Sequence, residues 1–266
     1  MIAAEGKLLT IFNSTVYPST YHEVPEVVRW AQANIDKVHG VVFITYRILD
    51  TDAQVGFDAH GRQADTSRLS YSTERFDEAF VASPEVYQII KENFPSFELA
   101  GYLGGTVRHD SFKWLAGAVI GTKHRMYGSI GRKTMELVQA GHHLFCGTYI
   151  AYLAQMKTAR CAFLMAPWDR NVRQAAKNRL LDILRHPLRL FSPVRFQSVG
   201  IIQAPDIQPS GVADMCDSCP DMTVWNGTLI NSCRMDEYRL YGGMLSVTER
   251  QKTHAEVESP IASEKR

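Results

Sequence analysis

Three cysteines carry the strongest chemical signal in this chain. Cys216, Cys219 and Cys233 follow a C-x2-C-x13-C spacing within the stretch MCDSCPDMTVWNGTLINSCR. Thiolates that converge on one point bind soft metal centres. Between the second and third cysteine, Asn226-Gly227 lies among β-branched and aromatic residues. That pair predicts a two-residue hairpin turn, because both positions need positive φ and both residue types tolerate it. The turn sets Trp225 opposite Thr228, and counting outward sets Pro220 opposite Cys233. The hairpin thereby returns the third thiol towards the first two.

Three chemistries fit such a spacing. Disulfides fit poorly. The chain has five cysteines, an odd number, and Met1–Gly6 does not have the apolar core of a secretory leader. A reducing, cytoplasmic setting is expected, in which the sequons at Asn13 and Asn226 carry no glycan. Structural zinc needs four protein ligands, so Asp214, Asp217 or a remote histidine would have to complete the set. An iron–sulfur cluster accepts three thiolates and leaves one iron open to another ligand or to substrate. Residue types alone leave zinc and iron–sulfur both open.

Positioning these groups requires a scaffold, and the first fifty residues predict one. Leu8–Val16 is apolar enough for a buried strand and turns polar at Asn13, Ser14 and Thr15. Val24, Val27, Val28, Ala31 and Ile35 recur at helical spacing, with Thr20 and Glu23 at capping-box spacing and Pro25 in the first turn. Val38–Tyr46 is a second strand. Strand, helix and strand in this order predict a parallel pair joined by a right-handed crossover. Thr45 and Arg47 close the second strand on the rim where Asn13 and Thr15 close the first, so these four residues form a candidate ligand site.

The remaining elements follow from local signals. Asp50–Ser70 reads as a surface loop or flap. A helix is expected from Ser72 to Phe94, with a fresh start at Ser83-Pro84-Glu85 and a core stripe of Val86, Ile89, Ile90 and Phe94. Phe97–Gly105 reads as a strand ending in a glycine turn. His109–Ala118 and Lys133–Met156 read as helical. Gly128–Thr134 has the flavour of a phosphate loop, but Arg132 separates Gly131 from Lys133 and spoils the spacing. His142 and Cys146 share a helix face at i,i+4, a ligand geometry whose simpler reading is a half-buried histidine beside a buried cysteine. Cys161 reads as core. Asp169 N-caps a helix ending at His186-Pro187, rich in Arg and Lys, which suits an anionic small molecule, a lipid head group or a solvated face. Phe196–Ala204 is a final strand and Asp236–Tyr241 a short helix.

The chain has 266 residues, 45% of them hydrophobic, and a formal net charge of +1. No apolar run reaches the length of a membrane span, so no transmembrane helix is expected. That net charge argues neither for nor against nucleic acid as a whole-chain property, but the aromatic interleaving of the basic helix is thin (Trp168, Phe191), which speaks against it.

The cysteine stretch resembles the C-terminal auxiliary-cluster motif of molybdenum cofactor biosynthesis protein A and, more broadly, the twitch and SPASM extensions of radical S-adenosylmethionine (SAM) enzymes. Leu8–Tyr17, His22–Ala31 and Val38–Arg47 resemble the last strand–helix–strand of a radical-SAM partial barrel. The resemblance covers about the first fifty residues and residues 196–240. It implies an α/β fold: the C-terminal part of a partial (β/α) barrel in residues 1–105, a mainly helical region 106–193, an auxiliary iron–sulfur domain 194–242 and a disordered tail 243–266. It implies a 4Fe-4S cluster on Cys216, Cys219 and Cys233. It also implies SAM contacts at Asn13 and Thr15, with Thr45 and Arg47 on the same rim. The family's C-x3-C-x2-C motif is missing, since no cysteine precedes Cys146. The chain therefore resembles a fragment or one subunit of such an enzyme, expected to need a partner polypeptide carrying the SAM-cleaving half and to take an unidentified small-molecule or lipid substrate. The alternative is a non-enzymatic zinc hairpin whose basic helix binds an anionic partner.

Overall fold

The computed structural model describes residues 8–45, 55–65, 81–150, 158–207, 213–219 and 221–249. In chain order the strands and α-helices are β1 (Ile11–Val16), α1 (Val24–Ala33), β2 (Gly40–Thr45), β3 (Val55–Ala59), β4 (Arg62–Gln63), α2 (Ser83–Asn93), β5 (Gly101–Leu103), β6 (Trp114–Thr122), β7 (Arg125–Ser129), α3 (Arg132–Cys146) and α4 (Arg170–Arg185). They continue with β8 (Arg195–Gln203), β9 (Asp206–Ile207), β10 (Ala213–Asp214), β11 (Met222–Trp225), β12 (Thr228–Asn231), α5 (Met235–Tyr241) and β13 (Ser246–Glu249). The chain divides into two units. The first comprises Met1–Arg47, Arg75–Asp206 and Asp214–Pro220, and the second comprises Ile48–Glu74, Ile207–Ala213 and Asp221–Arg266.

The first unit is mixed α/β. Its sheet runs β1-β2-β8-β6-β5, with β7 also on β6. β1, β2 and β8 are parallel, and β6 pairs antiparallel with β8. β8 occupies one edge of β6 over Trp114–Gly121, so β5 and β7 share the other edge.

Strand alternation sorts the side chains into two layers. Phe43, Val199, Ile201, Leu115 and Val119 face α1 and α2 and bury with Val28, Ala31, Val86 and Ile90. Each fully buried aliphatic side chain of this kind contributes roughly 1.5–3 kcal/mol. Ala118, Ile120, Tyr127 and Phe196 face the opposite way and bury with Val172 and Ala175 of α4. Gln197, buried within the first layer, donates from Nε2 to the carbonyls of Ala31 (2.8 Å) and Val38 (2.9 Å) and ties the end of α1 to the sheet.

The second unit holds the antiparallel sheet β13-β3-β4 and the hairpin β11–β12. Phe57, Ala59 and Leu245 form its small core. A buried ion pair between Arg234 and Glu237 supports it, with the Glu237 carboxylate also accepting from the Leu245 amide at 2.7 Å.

Four expectations change. Residues 114–118 begin β6 and are not helical. The run Trp114–Thr122 is apolar and broken by Gly117 and Gly121, a pattern that suits a strand buried on both faces. Thr20 does not cap α1. Its hydroxyl accepts from the Tyr17 amide at 3.1 Å, and a short 3-10 turn, Tyr21–Glu23, intervenes. The expected flap contains the hairpin β3–β4, whose turn places His60 and Gly61 at φ 55° and 76°. Cys146 and Cys161, expected in the core, are both exposed. Residues 72–80, Arg47 and the tail beyond Glu249 lie outside the described residues.

Candidate metal-thiolate site

The loop that carries Cys216 and Cys219 is anchored by the residue just before it. Asp214 is fully buried. Its Oδ1 accepts the amides of Val107 (2.8 Å) and Arg108 (3.2 Å), and its Oδ2 accepts the Ser111 hydroxyl at 2.9 Å. Lys113 Nζ stands 3.3 Å from the same Oδ2, itself fully buried. Burial alone would push the Asp214 carboxyl up, but the Val107 and Arg108 amides, the Ser111 hydroxyl and the Lys113 charge together hold it below the ordinary carboxylate value. With these contacts the carboxylate is committed to the fold, so Asp214 does not complete a zinc site.

The backbone continues the clamp. Thr106 N donates to Met215 O at 2.9 Å, Met215 N donates to Thr106 Oγ1 at 3.0 Å, and Asp217 N donates to Gly104 O at 2.9 Å. Cys216 pairs with Gly105 in an isolated antiparallel bridge. This approach explains the glycine pair. A Cβ on Gly105 would lie 2.2 Å from the Asp214 carboxylate, and one on Gly104 would lie 2.7 Å from the His109 carbonyl oxygen. Between the two cysteines, Ser218 takes φ 53°, a left-handed conformation uncommon for a residue with a Cβ. Cys216 and Cys219 are half-buried at this turn. Two sulfurs three residues apart on such a turn form a donor pair suited in kind to zinc or iron.

The third cysteine belongs to the second unit. The predicted hairpin is present. Asn226 and Gly227 have φ 47° and 79°, and the register pairs Trp225 with Thr228 and Met222 with Asn231. Ser232 N donates to Asp221 O at 3.1 Å, which extends the ladder by one step. Cys233 follows in the 3-10 turn Ser232–Arg234 and is exposed. Pro220, expected opposite it, lies outside the described residues. Among the described residues, no three His, Cys, Asp or Glu side chains are grouped to hold a metal ion.

The candidate rim residues separate. The register pairs Val16 with Thr45, and Thr45 with Gln203. Thr45 therefore shares the buried face of Val16, whereas Asn13 and Thr15 lie on the opposite face of β1, where both are exposed. Thr45 Oγ1 is buried and has no hydrogen-bond partner among the described residues. Arg47 falls outside the described residues. His142 and Cys146 do share α3, but the ring of His142 is engaged by the Thr148 carbonyl through Nδ1.

The phosphate-loop lookalike has a physical explanation. Gly128–Thr134 does form strand, turn and helix, from β7 into α3. The place of an anion is taken by Asp169. Its Oδ2 accepts Gly131 N (3.0 Å), Thr134 N (3.1 Å) and Thr134 Oγ1 (2.6 Å), and its Oδ1 accepts Asn171 N (2.9 Å) and Val172 N (3.2 Å). One carboxylate thus caps both α3 and α4, satisfying amides that both helices would otherwise leave open. A cavity of about 390 Å³ remains outside it, edged by Arg132, Lys133, Arg170, Arg173 and Trp168.

Sequence reading missed the roles of Asp214 and Lys113. Their signal was faint: an acid next to a C-x2-C turn and a lysine opening an apolar strand. Among the described residues no helix is long and apolar enough to cross a membrane. No family model, curated protein or solved structure matches the chain.

Proposed function

We propose that this chain is an iron–sulfur protein of the radical-SAM kind, with Cys216, Cys219 and Cys233 as its thiolate ligands. The observation that carries the reading is the Cys216–Cys219 turn, held to the main sheet through the buried Asp214 and the Gly105 bridge. A thiolate pair needs a rigid base, because ordering the ligands beforehand lowers the entropy cost of binding the metal. The parallel strands β1, β2 and β8 agree with the barrel-like wall that the resemblance implies. Asn13 and Thr15, on the exposed face of β1, are the positions proposed for contact with SAM.

A bound 4Fe-4S cluster would supply electron transfer or an open iron for substrate. The protein's part is to present sulfur and to set burial and charge around it. Cleavage of SAM would fall to a partner polypeptide bearing the missing C-x3-C-x2-C motif.

Metal loading of paired variants tests this. Cys219→Ser should abolish metal content, while Cys161→Ser, at an exposed position on a separate 3-10 turn, should leave it intact. Equal loading in both variants removes the cysteine hairpin from the account. One zinc per chain and no colour, lost only in Cys219→Ser, replaces the reading with a zinc module.

A further inference from the structure

Helix α4 is built inside out. Its buried face consists of Val172, Ala175, Arg179 and Asp182. The charged pair on that face is held by Tyr127: Arg179 Nη1 donates to the Tyr127 hydroxyl at 2.8 Å, and that hydroxyl donates to Asp182 Oδ2 at 2.8 Å. The leucines point the other way. Leu180, Leu181 and Leu184 are each at least 50% exposed, and the following 3-10 turn adds Leu188 at 84% and Phe191 at 78%. Single exposed leucines are ordinary, but a contiguous run of this size marks a binding surface.

The exposed charges of α4 itself have one sign. The exposed ionisable side chains of α4 are Arg170, Arg173, Lys177 and Arg185. Its one carboxylate, Asp182, is buried and paired with Arg189 at 2.7 Å. At about 100° per residue, Arg170, Arg173, Lys177, Leu181 and Leu184 share a side, cationic in its first half and apolar in its second. The cationic cavity edged by Trp168 lies at the cationic end.

We propose that this side of α4, with the turn after it, docks on an anionic lipid bilayer. The leucines and Phe191 enter the boundary between head groups and acyl chains, and the cations meet lipid phosphates. A bilayer offers an apolar layer beneath a uniformly negative one, which matches both halves of the face. A second copy docking through this face would set arginines against arginines in a parallel pair and arginines against leucines in an antiparallel one, and neither arrangement supplies a countercharge. Membrane docking of α4 does not depend on the thiolate ligands.

The test is co-sedimentation of the full chain with vesicles of equal parts phosphatidylglycerol and phosphatidylcholine, or of phosphatidylcholine alone. Wild type should pellet with the anionic vesicles and stay in solution with the neutral ones. Leu181→Ser/Leu184→Ser, both at exposed positions, should keep the wild-type circular dichroism and bind at least about tenfold more weakly. Arg170→Gln/Lys177→Gln should weaken binding at low salt and flatten its salt dependence. Wild type remaining in solution with anionic vesicles at low salt overturns the proposal, as does unchanged binding of the leucine variant. A wild-type dimer that the leucine substitutions dissociate, with no vesicle binding, assigns the face to a second copy and also overturns it.

Discussion

Lys113 Nζ lies 3.3 Å from Asp214 Oδ2 with both side chains fully buried. The pair joins the start of β6 to the residue that precedes the Cys216–Cys219 turn. Desolvating two charges is costly, and the pair is tolerable only because amides and a hydroxyl complete the carboxylate's hydrogen bonds. Its removal is therefore felt strongly. Asp214→Asn removes the buried countercharge of Lys113 and should cost about 3–5 kcal/mol. In thermal unfolding followed by circular dichroism, that corresponds to a fall of roughly 10 °C in Tm. An unchanged Tm would mean that the clamp does not hold the loop.

Acid sensitivity follows from three carboxylates. Burial alone would raise Asp169, Asp182 and Asp214. Hydrogen bonds outweigh it in each, from Thr134 and the helix amides to Asp169, from Tyr127 and Arg189 to Asp182, and from the loop amides to Asp214, so all three sit below the ordinary value. A folded pKa below the unfolded one contributes stability that is complete above the unfolded value of about 3.9 and is lost as pH falls through the folded value. Urea unfolding across pH should show stability declining below about pH 4. Asp169→Asn should be less stable at neutral pH and lose less on acidification. A variant whose acid profile parallels wild type would exclude Asp169 as one of the responsible groups.

Two glycines should respond in opposite directions. Gly227 sits at φ 79° in the hairpin turn, so Gly227→Val forces a β-branched residue into left-handed space and should destabilise by about 1–2 kcal/mol. Gly141 lies inside α3, and a Cβ added there would meet nothing within 4 Å. Gly141→Ala should stabilise by about 0.5–1 kcal/mol. Chemical denaturation of both variants checks the pair, and equal effects would contradict the assigned backbone conformations.

Much of the scaffold was readable because local and tertiary demands agree. The Asn226-Gly227 turn, the Asp169 cap and the Val86/Ile90 stripe each rest on residues a few positions apart. β6 was not readable in the same way. Gly117 faces the Phe97 ring, twenty residues away in sequence, and that contact leaves no local signature. The separation of Thr45 from Asn13 and Thr15 depends on register, which fixes the face of each side chain and is set by pairing across the sheet. The exposed leucines of α4 were legible as letters, but their direction was not, because the buried Arg179–Tyr127–Asp182 network claims the inner face.

The central claim concerns the thiolates, and anaerobic reconstitution with iron and sulfide tests it most directly. The readings are iron and zinc content and the visible spectrum. The account predicts about four irons per chain, the content of one cubane cluster, with broad visible absorption that disappears in Cys219→Ser. A colourless protein that takes up no iron under these conditions would contradict it.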